Sequence, residues 1–117
     1  MITLYTKPTC NPCRKVKSLL NEADISYVER DFFSTPLTPQ ELEDLIALTE
    51  NGVEDLLLIY TKIHDNLYLD FEGMSTEELA TALAENPRLL RRPLIVKGQE
   101  LLIGFEEISC KAFCGIH

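Results

Sequence analysis

Residues 2–13 read Ile2-Thr3-Leu4-Tyr5-Thr6-Lys7-Pro8-Thr9-Cys10-Asn11-Pro12-Cys13, and the reading of the fold starts there. The first five are β-branched, aliphatic or aromatic and are stopped by Lys7-Pro8, the pattern of a strand. From Pro12 the period changes. Val16, Leu19, Leu20 and Ala23 fall at i, i+3, i+4 and i+7, one apolar stripe on a helix from residue 12 to about residue 23. Residues 25–31 alternate imperfectly and form a second expected strand. A strand, a helix and a strand joined at this length make a βαβ unit, whose strands lie parallel.

Outward from that unit the chain turns helical. Thr38-Pro39-Gln40-Glu41 combines a threonine cap, proline at the first helical position and glutamate three residues past the cap. Leu42, Leu45, Ile46 and Thr49 are expected to face inward, with Asn51-Gly52 ending the helix because both tolerate positive φ. Ser75-Thr76-Glu77-Glu78 repeats the capping box, Leu79, Ala82 and Leu83 supply the stripe, and Asn86-Pro87 ends it. Short helical turns are expected between these helices. After Arg92-Pro93 the period becomes that of strands: Leu94-Ile95-Val96, a turn at Lys97-Gly98-Gln99, then Glu100-Leu101-Leu102-Ile103, which is a hairpin. Gly104 closes it, and a final helix is expected from residue 105 to about 113. The expected class is α/β, in the order β-α-β, inserted helices, β-β-α, with a four-stranded mixed sheet. Residues 1–35 and 90–117 would form the sheet part and residues from about 36 to 89 the all-helical insertion, within a single domain of 117 residues.

Composition narrows the function. With 45% hydrophobic and 26% charged residues the chain belongs with globular proteins, not disordered or fibrous ones. The longest apolar run, residues 56–60, is far short of the roughly twenty residues of a membrane span. The opening MITLYTKPTC holds no stretch suited to a signal peptide, so a cytoplasmic protein with no membrane partner is expected. Between residues 41 and 85 twelve acidic residues face one lysine, Lys62, a charge of −11, whereas the remainder of the chain sums to +3. The acidic block reads either as solvated helix faces or as a docking surface for a basic partner. A net charge of −8 argues against direct binding to a nucleic-acid backbone.

The sharpest chemical signal is Cys10-Asn11-Pro12-Cys13 at a helix start. This spacing puts both sulfurs within disulfide reach, and the free N–H groups and positive end of the helix stabilise a thiolate on Cys10, with Arg14, Lys15 and Lys17 adding positive potential. Half of a zinc site is the competing reading; its further ligands would come from Cys110, Cys114, His64 or His117, none forming a second close pair of the same spacing. In a reducing compartment redox use is favoured, and no cofactor or metal is expected. Arg92-Pro93 is the second feature. Proline before a strand can carry a cis peptide, and the turn would face the helix start, where the Arg92 guanidinium could reach a thiolate or oxyanion. Cys110 and Cys114, at i and i+4, read as small buried hydrophobes in preference to a frayed disulfide or a soft-metal pair.

These residues carry a resemblance. Cys10-Asn11-Pro12-Cys13 after its strand, Glu50-Asn51-Gly52, and the string from Asn86 through Leu89-Leu90-Arg91-Arg92-Pro93 to Val96 look like the Spx regulators, in the arsenate reductase (ArsC)/Spx branch of the thioredoxin-like fold. The resemblance covers nearly the whole chain. It implies a thioredoxin-like core and a redox-sensitive global transcriptional regulator that is not an enzyme. The regulator would bind the C-terminal domain of the RNA polymerase α subunit, with Gly52 in that interface. Cys10 and Cys13 would act as its thiol/disulfide switch, and Arg92 and Pro93 would stabilise the thiolate or the oxidised state. Promoter DNA would be met only within the polymerase complex, through Arg88, Arg91 and Arg92. Gly52 is expected in a flat exposed turn that tolerates side chains. The alternative is a thiol-dependent arsenate or disulfide reductase. It is disfavoured because Tyr60 stands where both relatives usually have arginine, and a third arginine position falls near Ile103-Gly104. The sequence reads to Gly115-Ile116-His117, short of the longer tail through which Spx proteins are delivered to proteolysis, so the resemblance does not carry that control over.

Overall fold

The computed structural model describes residues 1–58 and 73–116. Tyr60, His64 and His117, and the helical turns expected beyond residue 58, lie outside the described residues. In chain order the elements are β1 (Ile2–Thr6), α1 (Asn11–Glu22), β2 (Tyr27–Asp31), α2 (Pro39–Ala47), α3 (Thr76–Glu85), β3 (Leu94–Lys97), β4 (Glu100–Ile103) and α4 (Glu107–Cys114), with short 3-10 turns at Val53–Leu56 and Pro87–Leu89. Two compact units divide them: residues 1–35 with 92–117, and residues 36–91.

The first unit is the sheet. Its strand order is β2-β1-β3-β4, with β1 parallel to β2 and antiparallel to β3, and β3 antiparallel to β4. This is the four-stranded mixed sheet expected of the class. Side chains alternate along β1, so Ile2, Leu4 and Thr6 all point inward. Ile2 and Leu4 share one core with Val16 and Leu20 of α1, Ile95 of β3, and Cys110 and Cys114 of α4. The pairs 16/20 and 110/114 each lie one helical turn apart, which puts each pair on a single face. Ala23, expected on the α1 stripe, is exposed, because the helix ends at Glu22. Asp24 there takes φ 57 and donates to the Asn21 carbonyl (3.1 Å), while the Ile25 N–H reaches the Leu20 carbonyl (2.9 Å). These are the two bonds of a left-handed C-terminal cap, with aspartate in the place glycine usually takes.

The second unit is helical. Both capping boxes form: Thr38 and Glu41 cap α2 reciprocally, as Ser75 and Glu78 cap α3. Leu42 and Leu45 of α2 and Leu79, Ala80 and Leu83 of α3 are buried, as are Leu56, Leu89 and Leu90. Ala80 takes the inward place expected of Ala82. The helix α2 stops at Ala47, short of Asn51-Gly52. Thr49 explains the early stop. Its hydroxyl donates to the Ile46 carbonyl at 2.6 Å, and the Leu48 and Thr49 N–H groups take i−3 bonds to Leu45 and Ile46, tightening the last turn instead of extending it.

Candidate functional site

The sheet register gathers three chain segments at one end. Thr6, the last residue of β1, pairs with Asp31 of β2, and Tyr5 pairs with Leu94, the first residue of β3. The chain leaving β1 (Lys7 to Cys10), the chain leaving β2 (Phe32-Phe33) and the chain entering β3 (Arg92-Pro93) therefore emerge together. The Arg92–Pro93 peptide is cis and Pro93 is buried.

Cys10 is itself the N-cap of α1. Its backbone is extended (φ −105, ψ 112), and its Sγ accepts the Cys13 N–H at 3.2 Å. A sulfur thus fills the role that a serine oxygen usually plays, and a helix-start donor that would otherwise be orphaned points at it. The two sulfurs are within bonding distance, with the α-carbons 5.2 Å apart, inside the range of a disulfide. Both residues are buried, Cys10 at 7% exposure and Cys13 at 1%, so Cys10 is the outer member of the pair. Two thiols so placed can undergo one reversible step. An oxidant takes two electrons and two protons from the two thiols as the S–S bond forms, and reduction returns them.

Of the basic residues the sequence singled out, two on α1 have polar partners of their own. Lys17 is committed to Glu29 (3.1 Å), whose carboxylate also accepts the buried Thr6 hydroxyl (2.7 Å). Arg14 donates to Asn11 (3.3 Å). The Lys7 ammonium and the Arg92 guanidinium instead lie over one aromatic ring, that of Phe33, at 5.2 Å and 5.8 Å from its centroid. Arg92 is half-buried, and desolvation pulls its pKa below the usual arginine value. Neither Lys7 nor Phe33 was picked out from the sequence, although an exposed-looking Phe33 beside Phe32 just after a strand was a usable sign.

Gly52 belongs to the helical unit. It is the N-cap of the Val53–Leu56 turn, with φ 93 and ψ −158, and its N–H donates to the Thr49 hydroxyl at 3.0 Å. It lines a cavity of about 220 Å³ together with Ile46, Asn51, Val53, Glu54 and Leu79. The expectation of a flat turn that tolerates side chains is corrected here. A built Cβ meets no atom within 4 Å, yet this φ/ψ region is open essentially to glycine alone.

Cys110 (0% exposed) and Cys114 (6%) are core residues. Burial, helped by the neighbouring Cys114, pushes the Cys110 thiol up to about 12, and burial also raises Cys114. Thiolates are the reactive form, so this pair is chemically quiet in the folded state. In reduced native protein at pH 8, iodoacetamide is expected to modify Cys110 and Cys114 at least tenfold more slowly than in guanidinium, as read by peptide mass spectrometry. Equal rates would remove the pair from the core. Among the described residues no three His, Cys, Asp or Glu side chains group as a metal site, and no helix is long and apolar enough to cross a membrane.

Comparison with known proteins follows the same lines. A model of the ArsC family matches residues 5–113. Over 113 residues, 97% of this chain and 85% of the relative, the chain is 40% identical to the global transcriptional regulator Spx of Streptococcus pneumoniae. It is 36% identical to the regulator of the same name from Staphylococcus aureus, covering 97% of this chain and 86% of the relative. Among solved structures, an ArsC family related protein from Bacteroides fragilis superposes with TM-score 0.76 at 28% identity, over 95% of each chain. An arsenate reductase from Vibrio cholerae shares the fold, with TM-score 0.79 at 22% identity over 99% of this chain and 97% of the other.

Proposed function

This chain belongs to the ArsC family, on its Spx branch, and from that premise we propose that it is a redox-switched transcription regulator which docks on the C-terminal domain of the RNA polymerase α subunit. The observation that carries the reading is the Cys10–Cys13 pair, two sulfurs within bonding distance at the head of α1. A dithiol so placed reports oxidant without any cofactor. Arg92 and Pro93, at the same end of the sheet, are the residues that stabilise its thiolate or oxidised state.

Docking falls to the helical unit. Gly52 and its cavity give a recess with no side chain in the way, and Glu54 sets an acidic group on its edge. The charge of −11 over residues 41–85 steers a basic partner towards this unit. Such a protein works in the cytoplasm, where polymerase is. Promoter DNA is met only within that complex, through Arg88, Arg91 and Arg92.

Arsenate reduction is the weaker reading. An arsenate ester needs several cations to offset its charge, and at the position beside Pro93 the chain has Ile103 and Gly104, the N–H of Gly104 donating to the Pro93 carbonyl at 2.8 Å. The test is capture of purified α C-terminal domain by this protein, with and without diamide. Retention is expected to rise at least tenfold on oxidation. No retention in either state, together with arsenate-dependent thiol turnover, would move the chain to the enzyme class.

A further inference from the structure

Phe33 is held more firmly than a loop aromatic needs to be. Asp31 Oδ1 accepts the Phe33 N–H (2.9 Å) and the Ser34 N–H (3.1 Å), and Oδ2 accepts the Ser34 hydroxyl (2.8 Å). Beyond it, the Arg30 Nε–H donates to the Thr35 carbonyl at 2.9 Å. Before it, the Phe32 N–H donates to the Thr6 carbonyl (3.2 Å), and the fully buried Phe32 ring sits 5.2 Å from that of Phe33, tilted by 46°. The anchored ring then takes two like charges, Lys7 from the segment leading to Cys10 and Arg92 from the segment entering β3. The negative face of an aromatic ring attracts each cation without neutralising its charge, as a carboxylate would.

Resting on the redox reading above, we propose that Phe33 is a positioning residue for the Cys10–Cys13 pair: its ring holds the Lys7 and Arg92 cations at the end of the sheet where α1 begins, and thereby sets the positive potential in which the thiols react. The ring acts through the two cations, and a carboxylate or an aliphatic side chain in its place would respectively cancel or release them.

Alkylation of the reduced full-length chain reads this directly. The Cys10 sulfur displaces iodide from iodoacetamide, and the rate follows the local potential. Phe33→Leu is expected to slow this step at pH 7 by about two- to fivefold, the range that a cation–aromatic contact holds near a surface. Phe33→Tyr, which keeps the face, is expected to restore the rate. In a Lys7→Gln/Arg92→Gln background the Phe33→Leu change is expected to add nothing, and at about 0.5 M salt the gap to wild type is expected to narrow. Equal rates for wild type and Phe33→Leu, or the same slowing in the background without the two cations, would overturn the proposal. If Phe33→Leu does not fold, a Lys7→Gln/Arg92→Gln chain that reacts at the wild-type rate overturns it equally. These rates are read on the thiol itself, so polymerase capture that ignores oxidant sinks the regulatory function without altering this result.

Discussion

Cys10→Ser is expected to abolish the oxidant response of polymerase capture outright, while leaving stability within about 0.5 kcal/mol of the reduced wild type. Cys10 does two jobs at once, holding one sulfur of the proposed switch and capping α1 by accepting the Cys13 N–H. Serine keeps the second job, being among the preferred cap residues, and loses the first. Cys10→Ala loses both and is expected to cost about 1 kcal/mol more. The oxidised wild type supplies the contrast. Closing so short a loop by a disulfide removes about 2 kcal/mol of freedom from the unfolded chain, so diamide should raise the wild-type unfolding midpoint and leave the Cys10→Ser midpoint where it was. Denaturant titration with and without diamide, run beside capture of the α C-terminal domain, checks both halves. A Cys10→Ser protein that still gains retention on oxidation would place the sensor elsewhere.

Gly52→Arg is expected to reduce capture at least a hundredfold and to destabilise the helical unit by about 1–3 kcal/mol, the cost of holding a side-chain-bearing residue in its backbone region. The two effects separate by design. Around Gly52 the space is open, so Gly52→Ala meets no neighbour and carries the backbone cost alone. That variant should lose stability yet bind at the wild-type level when folded. Glu54→Arg, on the edge of the same cavity with an ordinary backbone, should keep its stability and lose capture through reversed charge. Equal capture by Gly52→Arg and wild type would move the interface off this recess.

What could be read from the sequence was whatever is written locally. Thr38-Pro39 with Glu41, and Ser75 with Glu78, carry their caps within four residues, and both capping boxes form. The alternation of Ile2, Leu4 and Thr6 and the 94–103 hairpin specify a mixed sheet, because a βαβ unit must be parallel and a hairpin antiparallel. The stop of α2 at Ala47 was missed because Thr49 bonds back to Ile46, a side-chain choice that competes with the helix and leaves the apolar pattern untouched. Lys7 and Phe33 beside Arg92 were missed for a different reason. Lys7, Phe33 and Arg92 are scattered along the chain, and only the register of β1 against both neighbours brings them to one place. Gly52 was read correctly as a glycine position but in the wrong role: it begins a turn and does not end a helix.

The central strand β1 has one neighbour from its own βαβ unit and another, β3, that follows the helical unit in the chain. A ribosome therefore delivers Cys10 and Cys13 long before it delivers the strand that completes their sheet. At about 5–20 residues per second, roughly eighty residues of synthesis separate Cys10 from Arg92, an interval of roughly 4–16 seconds. During that interval the nascent thiols lack the β3 side of their surroundings and the Arg92 charge. Each new molecule thus passes through a period in which Cys10 and Cys13 are already made while the sheet beside them still lacks its β3 neighbour.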